Sequence, residues 1–331
     1  MAVSAQEMVD DAMQQGVEKP DGIFTTSLTD VAALRSALPC GWRDIPLVLY
    51  MHENQVAYPT SDQRDASFAF TNLQSVLTAD RVLFNSNWNM ESFICGISEL
   101  LTHSPDTSMA NIEERIQDRS TVAWVPVEPP PIDSRVLHNT GSPIRIVWPH
   151  RWEHDKGPEE LLSIARQHTA SLNLRWIILG ESFREIPEAL RTFETEFAEH
   201  IDHMGFVESK EEYWSWLHKA DWVLSTATHE FFGIAVVEAL LAGCLPWLPQ
   251  RLSYIELLPE HCRGLSPMSP AENHGEIRLA VKNHLHPATT PIGVGKIDDL
   301  CATVFRPGVS SGVDIREKTD RSISREFNIT Q

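Results

Sequence analysis

The fold is indicated most clearly by one stretch of the chain, Ser225-Thr-Ala-Thr-His-Glu-Phe-Phe-Gly-Ile-Ala-Val-Val-Glu-Ala-Leu-Leu-Ala-Gly-Cys244. Directly before it, the apolar run that follows Asp221 indicates a short buried strand. Apolar residues then recur at helical spacing, which predicts a helix that begins near Phe232 or Gly233 and ends at Gly243. A strand, a loop and a helix in this order form the repeating unit of a parallel α/β sheet.

Two carboxylates flank the start of this predicted helix. Glu230 is expected in the loop and Glu238 inside the helix, so the two groups should lie roughly 12 Å apart. That separation suits a nucleoside diphosphate sugar, with one acid near the sugar hydroxyls and the other near the ribose. Gly233 has no side chain, which lets a phosphate approach the backbone N–H groups. The simpler alternative is that Glu238 is a solvated helix residue and Glu230 a carboxylate favoured by the helix dipole.

The second half of the chain repeats this alternation of short apolar strands and amphipathic helices. Such a pattern predicts a parallel sheet with helices on both faces. The predicted strands are 144–148, 174–179, 201–207, 222–225 and 244–248, and the predicted helices are 158–168, 187–198, 210–219 and 233–242.

The first half alternates in the same way, so two Rossmann-like domains of the α/β class are expected. Its predicted strands are 22–25, 46–50, 81–84 and 122–125, and its predicted helices are 29–37, 65–77 and 87–98. Prolines cluster directly afterwards and mark a linker, because they continue neither a helix nor a central strand. The expected organisation is a first domain over 1–125, a linker over 126–143, a second domain over 144–265, and a helix with a loosely ordered tail over 266–331.

Composition and charge exclude several classes of protein. The 331 residues carry 27 basic and 46 acidic side chains, and this net charge of −19 opposes broad, non-specific binding of nucleic acid. The sequence has neither an apolar run long enough for a membrane span nor a basic leader with an apolar core. Five scattered cysteines without a Cys-x-x-Cys pair indicate reduced thiols rather than a zinc site. A cytoplasmic protein is expected, with the nucleus as an alternative.

A basic loop follows the predicted strand 144–148. Ligands of open parallel sheets bind beyond the carboxyl ends of the strands, so this loop is a candidate site. Arg151 and Lys156 are predicted to bind a diphosphate, the first as a planar fork and the second as a point charge. His150 and His154 are interpreted as ordinary loop histidines, because no carboxylate–histidine pattern completes a metal site.

Another polar loop follows the predicted strand 46–50. His52 is predicted to hydrogen-bond a sugar or to move a proton. Glu53 and Asn54 are expected beside it on the acceptor side, although they could also cap the next turn. Ser86, at the end of strand 81–84, is expected either to face the same cleft or simply to cap the helix that follows.

These segments together resemble a known family. The pair Arg151 and Lys156, with the motif Glu230-x7-Glu238, resembles the retaining glycosyltransferases of the GT-B fold, in which two Rossmann-like domains face a cleft. Between about residues 21 and 260, the chain is more narrowly similar to the tRNA-queuosine mannosyltransferases. The segments that carry this narrower resemblance are Tyr50-Met-His-Glu-Asn-Gln55, Trp148-Pro-His-Arg-Trp-Glu-His-Asp-Lys156 and His229-Glu-Phe-Phe-Gly233.

The resemblance implies transfer of mannose from GDP-mannose, with retained configuration, onto queuosine in the anticodon of tRNA-Asp. Arg151 and Lys156 would stabilise the departing diphosphate, and Glu238 would bind the ribose. Glu230 would hold the sugar, and His52 would line the sugar site from the other domain. The backbone of Phe232, Gly233 and Ile234 would hold the sugar together with Glu230. No metal and no other cofactor are implied, since the cations and the helix dipole neutralise the leaving group.

Two departures from the family pattern leave alternatives open. The Gly-Gly-Ser-His loop of the family is missing, and the polar residues 1–20 lead straight into a strand, so the first domain is expected to be incomplete. Residues 1–135 carry 8 basic and 19 acidic groups, whereas a tRNA-binding face should be basic. The alternatives are a related glycosyltransferase with another nucleotide sugar and a glycan or small-molecule acceptor, and a non-catalytic remnant that binds nucleotide sugar.

Overall fold

A computed structural model of the chain describes residues 4–57, 66–102, 109, 111–131, 142–181, 185–269 and 273–305. The described residues form two α/β domains, and each is built on one parallel sheet. The prediction of two Rossmann-like domains with parallel sheets is therefore confirmed. Residues 132–141 of the predicted linker and residues 306–331 of the predicted tail lie outside the described residues.

The first domain contains four parallel strands in the order β1-β2-β3-β4. Its strands are β1 Ile23–Thr26, β2 Leu47–Met51, β3 Arg81–Phe84 and β4 Ser120–Val122, and its helices are α1 Ala5–Gln14, α2 Val31–Ala37, α3 Ala66–Thr78, α4 Asn87–Thr102 and α5 Ile112–Gln117. All five residues of β2 are buried, because helices cover both faces of this central strand. Burial on both faces explains why its sequence is an unbroken apolar run.

Helix α1 contradicts the expectation that the polar N-terminal residues lead directly into a strand. It begins with a capping box, in which Ser4 Oγ accepts from Glu7 N at 3.2 Å and the Glu7 carboxylate accepts from Ser4 N at 3.0 Å. Val9 is its buried residue, so the helix lies on the domain surface. The Ser-x-x-Glu pattern is the signal in the sequence that predicts such a start. The strand predicted at 122–125 also differs, since β4 ends at Val122.

The second domain contains five parallel strands in the order β7-β6-β5-β8-β9. Its strands are β5 Ile144–Pro149, β6 Leu174–Leu179, β7 Ile201–Gly205, β8 Trp222–Leu224 and β9 Leu245–Trp247, and its helices are α6 Pro158–Leu172, α7 Glu188–Glu196, α8 Lys210–Lys219, α9 Ile234–Leu241, α10 Tyr254–Leu257 and α11 His274–Leu285. Every strand and helix predicted for residues 144–248 is present, with ends displaced by a few residues at most. The regular alternation of the sequence is therefore a faithful guide to this domain.

The last helix, α12 Ile292–Phe305, returns to the first domain. Its Leu300 and Cys301 are buried against Val48 and Leu83 of the first sheet. The helix therefore covers the face of β2 and β3 opposite the first domain's main core. The sequence did not indicate this helix, because residues 292–305 contain two glycines and follow no predicted strand.

Two segments connect the domains, and they lie side by side. The backbone N–H of Val127 donates to Ala288 O at 2.8 Å, and the N–H of Thr290 donates to Val127 O at 3.0 Å. Val127 is buried at this crossing. The first segment leads from β4 toward β5, and the second leads from α11 to α12.

A buried aromatic cluster closes one face of the second sheet, and its contribution to stability is testable. Phe193 is fully buried with its ring centroid 5.5 Å from that of Trp176, whereas Phe206 is 60% exposed. We expect Phe193→Ala to lower the free energy of unfolding by about 3–5 kcal/mol. The matched control Phe206→Ala should change it by less than about 0.5 kcal/mol. Urea unfolding followed by circular dichroism measures both, and equal effects would contradict this packing.

Candidate active site

A cleft of about 360 Å³ lies between the domains, at the carboxyl ends of β2, β3, β5 and β8. This volume falls within the usual range of pockets for small ligands. The first domain lines it with residues that include Tyr50, His52, Glu53 and Asn85. The second domain lines it with residues 149–151, 155–156 and 229–236. The loops that the sequence predicts as sites therefore meet in one place.

The start of α9 forms one wall of the cleft. Gly233 precedes the helix with φ of +91°, in the left-handed region where a side chain is strained. A Cβ at this position would also lie 3.2 Å from the Tyr254 ring and 3.4 Å from the Glu230 side chain. The glycine thus lets the chain turn tightly, so that the N–H groups at the start of α9 lie beside the cleft. Such an array binds anions.

Lys156 is the buried cation of the site. Its ammonium donates to His229 O at 2.9 Å, and it lies 3.1 Å from an Asp155 carboxylate oxygen and 3.3 Å from a Glu230 carboxylate oxygen. Burial disfavours the charged form, but the Glu230 and Asp155 carboxylates outweigh it and raise the pKa of Lys156 above its ordinary value. The ammonium stays charged at neutral pH and ties the loop after β5 to the loop after β8.

Arg151 lies in the same cleft but is far more exposed. Its guanidinium side chain is 52% exposed and lies 3.7 Å from the Glu153 carboxylate. Gly157 ends the same loop with φ of +68°, and a Cβ there would approach Thr226 O to 2.2 Å. No other residue type fits this contact, so the loop and the residues after β8 pack closely. Two cations of different accessibility therefore face one cleft.

His150 differs from the ordinary loop histidine that the sequence suggests. Its ring is buried, lines the cleft and packs edge-on against Trp148, with centroids 5.0 Å apart. Burial, together with the nearby Lys156 charge, lowers the pKa of His150 to about 3. The imidazole is therefore neutral at physiological pH. His154, in contrast, is exposed and lies 3.6 Å from Glu159, as expected for a surface loop.

Glu238 lies inside α9 and is not among the residues that line the cleft. It is largely buried, and one carboxylate oxygen accepts from Lys210 Nζ at 2.8 Å while the other accepts from Tyr213 OH at 2.8 Å. Burial, followed by the Glu238 charge, raises the pKa of Tyr213, so its hydroxyl remains a donor. Both partners come from α8, which holds the carboxylate in one orientation. Its predicted role in ribose binding stays a prediction.

The loop after β2 presents two of its predicted residues to the cleft. His52 is half-buried, and its Nδ1 lies 3.0 Å from the hydroxyl oxygen of Ser27. Glu53 also lines the cleft and accepts from Gln55 Nε2 at 3.3 Å. Ser27 follows β1, and no pattern in the sequence indicates this contact. Its hydroxyl sets the orientation of the His52 ring.

Asn54 does not reach the cleft. It is fully buried, and its Nδ2 donates to Asn89 Oδ1 at 2.8 Å. Asn89 Nδ2 donates to Asn85 Oδ1 at 2.8 Å, and Asn85 Nδ2 donates to His52 O at 2.8 Å. The three buried amides thus form a chain that holds the backbone of the His52 loop. Asn54 therefore supports the His52 loop, and its predicted place on the acceptor side stays a prediction.

Ser86 is also fully buried and does not line the cleft. Its Oγ accepts from Asn89 N at 2.9 Å, so the predicted N-cap of α4 is present. The same hydroxyl donates to Phe231 O at 2.5 Å, across the boundary between the domains. Sequence reasoning missed this second contact, because only the packed structure brings residues 86 and 231 together.

Among the described residues, no group of three or more His, Cys, Asp or Glu side chains is arranged to hold a metal ion. Within the same residues, no helix has the length and apolar character that crossing a membrane requires.

Two known protein families together match most of the chain. A family described as tRNA-queuosine alpha-mannosyltransferase N-terminal matches residues 1–127, and glycosyl transferases group 1 match residues 132–246. The tRNA-queuosine alpha-mannosyltransferase of Drosophila melanogaster is 37% identical over 224 residues. These residues are 64% of this chain and 59% of the fly protein, so the chain spans less than two thirds of that relative.

Solved structures share the fold at low sequence identity. Anabaena HepE, in complex with UDP and glucose, superposes with a TM-score of 0.64 over 91% of this chain and 84% of its own, at 14% identity. The lipopolysaccharide outer core galactosyltransferase WaaB superposes with a TM-score of 0.61 over 91% and 79%, at 11% identity. The chain therefore belongs to the proteins of the GT-B fold. Within that class its sequence is similar to that of a tRNA-queuosine alpha-mannosyltransferase, so the resemblance found in three sequence segments is confirmed.

The buried neutral state of His150 predicts a loss of stability in acid. The unfolded chain binds a proton at His150 near pH 6.5, but the folded protein binds it only near pH 3. Stability is therefore full above pH 6.5 and falls as the pH drops toward 3, by about 2 kcal/mol at pH 5 from this residue. We expect His150→Gln to reduce the difference in unfolding free energy between pH 7.5 and pH 5, measured in urea.

The exposed His154 provides the matched control. His154→Gln should leave the pH dependence of the unfolding free energy as it is in the wild-type protein, since its side chain is 81% exposed. An unchanged pH dependence in His150→Gln would show that His150 is not held neutral by burial.

Proposed function

We propose that this protein is a glycosyltransferase that transfers mannose from GDP-mannose, with retention of configuration, to queuosine in the anticodon of tRNA-Asp. The observation that carries the proposal is the meeting of Arg151, Lys156 and the start of α9 in one cleft, which the first domain completes. Two cations and an array of helix N–H groups suit the departing diphosphate of a nucleotide sugar. The likeness to the fly protein supports mannose as the sugar and queuosine as the acceptor.

In the proposed reaction, the bond between mannose C1 and the GDP oxygen breaks while a bond forms between C1 and an acceptor hydroxyl oxygen. Both events take place on the same face of the sugar, and the acceptor proton passes to the leaving phosphate oxygen. Arg151 and Lys156 bind the diphosphate as its negative charge develops. Glu230 holds the mannose together with the backbone of 232–234, and His52 contacts the sugar from the first domain. Glu53 lies on the acceptor side.

The nucleoside is proposed to lie toward α8. The Glu238 carboxylate already accepts from Lys210 and Tyr213, but an ionised carboxylate has further lone pairs for a ribose hydroxyl. The proposed transfer uses no metal, because Arg151, Lys156 and the N–H groups of α9 supply the positive charge that a leaving diphosphate needs.

A second class of acceptor is favoured by the acidity of the first domain. Residues 1–135 carry 19 acidic and 8 basic groups. The phosphates of tRNA are attracted by basic surfaces and repelled by acidic ones. A glycan or a small-molecule acceptor would avoid this repulsion, while the donor side of the cleft stays the same.

A transfer assay tests the proposed acceptor. The protein is incubated with labelled GDP-mannose and either tRNA-Asp that contains queuosine or the same tRNA with guanosine at that position. We expect label only in the queuosine-containing tRNA. Binding of GDP without label on either tRNA would favour the second class of acceptor, and a specific preference for UDP would change the donor. Absence of binding to both nucleotides would overturn the proposal and would also argue against a remnant that binds nucleotide sugar.

The two glutamates are expected to contribute to different steps. Glu238→Ala should weaken binding of GDP-mannose about tenfold, since it removes a hydrogen-bond acceptor for the ribose. Glu230→Ala should instead reduce kcat at least about tenfold with a smaller change in Kd, because it contacts the transferred sugar. Calorimetry and steady-state kinetics measure the two effects, with the exposed Glu194→Ala as the control. Equal losses of binding in both variants would contradict this division.

A further inference from the structure

Two serine hydroxyls, one from each domain, hold the backbone just before α9. Ser86 Oγ of the first domain donates to Phe231 O at 2.5 Å, and Ser253 Oγ of the second domain donates to Phe232 O at 3.0 Å. Both serines are fully buried, so water cannot hydrogen-bond the Phe231 and Phe232 carbonyls in their place when a serine hydroxyl is removed. The C=O and N–H of a trans peptide point in opposite directions. These bonds therefore direct the N–H groups of Phe232 and Gly233 away from the serines.

Those N–H groups belong to the backbone that lines the cleft. Within the described part of the chain, the N–H groups of Phe232 and Gly233 donate to no protein acceptor. The Tyr254 ring packs against Gly233, and Tyr254 OH lies 2.8 Å from Ser225 Oγ. The first domain therefore fixes this segment through Ser86, and the second domain fixes it through Ser253 and Tyr254 at the start of α10. The N–H groups of Phe232 and Gly233 are donors that a ligand can use.

Helix α4, which carries Ser86 at its N-cap, is itself held by the second domain. The Glu256 carboxylate accepts from Asn87 N and Trp88 N at 3.0 Å each, and from Trp124 Nε1 at 3.1 Å. Hydrogen bonds to an ionised group are roughly twice as strong as neutral ones. A carboxylate at the start of a helix is also favoured by the helix dipole. Glu256 is thus the main polar attachment of α4 to the second domain.

We infer that Ser86 and Glu256 are positioning residues for the nucleotide sugar, although neither lines the cleft. Glu256 holds α4 against the second domain, and Ser86 on that helix holds the Phe231 carbonyl. The backbone of 232–233 then presents its N–H groups only while the domains are docked. Binding of a nucleoside diphosphate and docking of the domains therefore favour each other. This inference depends on the proposed function for the identity of the ligand.

The test compares nucleotide binding in three variants with the wild-type protein. Glu256→Gln keeps the side-chain shape but removes the charge and one acceptor oxygen. Ser86→Ala and Ser253→Ala each remove one hydroxyl. We expect each variant to bind GDP, or UDP if the wild-type protein binds that nucleotide instead, about three- to tenfold more weakly in calorimetry. Glu260→Gln, at an exposed glutamate of the same domain, should bind like the wild type.

Hydrogen–deuterium exchange without nucleotide provides a second measurement. Peptides that cover residues 230–236 should exchange faster in Ser86→Ala and Glu256→Gln than in the wild-type protein or Glu260→Gln. Ser86→Ala also removes the cap of α4, so Ser253→Ala, which removes no such cap, separates loop positioning from helix stability. A purely structural role would lower thermal stability without changing nucleotide affinity.

The outcomes distinguish this inference from the proposed function. If the wild-type protein binds a nucleotide and both Ser86→Ala and Glu256→Gln bind it within a factor of two, the positioning role is wrong. If the wild-type protein binds neither GDP nor UDP, the proposed function is wrong, and the exchange rates of 230–236 then decide the inference alone. Unchanged exchange in Ser86→Ala and Glu256→Gln would overturn it.

Discussion

The Lys156 ammonium lies buried between the loops that follow β5 and β8, and the floor of the cleft depends on it. Its contacts with Asp155 and Glu230 satisfy a charge that would otherwise cost several kcal/mol to bury. The same contacts mean that two carboxylates already face this one cation before a ligand binds. An incoming diphosphate therefore relies on the more exposed Arg151 and on the N–H groups of α9 for additional positive charge. The loops after β5 and β8, the glycines Gly157 and Gly233, and the start of α9 together place these charged and N–H groups around one cleft.

Much of the fold follows from local sequence signals. Strand β6 and helix α8 have the ends that the sequence predicts, because apolar strands and amphipathic helices alternate regularly there. Helix α12 was not indicated, since its burial depends on Val48 and Leu83 of the first sheet, more than 200 residues earlier in the chain. Helix α1, which was also not predicted, begins with a capping box at Ser4 and Glu7. Long-range packing and end effects are what local periodicity omits.

Local sequence signals likewise predict some residues of the site, whereas others depend on long-range packing. The positions of His52, Arg151 and Lys156 follow from their place at the carboxyl ends of parallel strands. Strand-end position alone does not reveal which way a side chain points, so Asn54 is buried in a chain of amides and Glu238 faces α8. The contact between Ser86 and Phe231 O joins two domains, and no spacing in the sequence encodes it. The direction of side chains and the contacts between the domains therefore cannot be predicted from the sequence pattern and are visible only in the structure.

The paired segments at Val127 and 288–290 constrain how the cleft can change shape. Because the chain passes between the domains twice and the two passes are hydrogen-bonded to each other, they form one short axis. Sliding of one domain past the other would break these bonds, whereas rotation about the axis preserves them. The cleft would thus open and close by rotation of the two domains about a hinge at the Val127 crossing. Substitutions at Val127 or at 288–290 would alter the angle between the domains without changing any residue that lines the cleft.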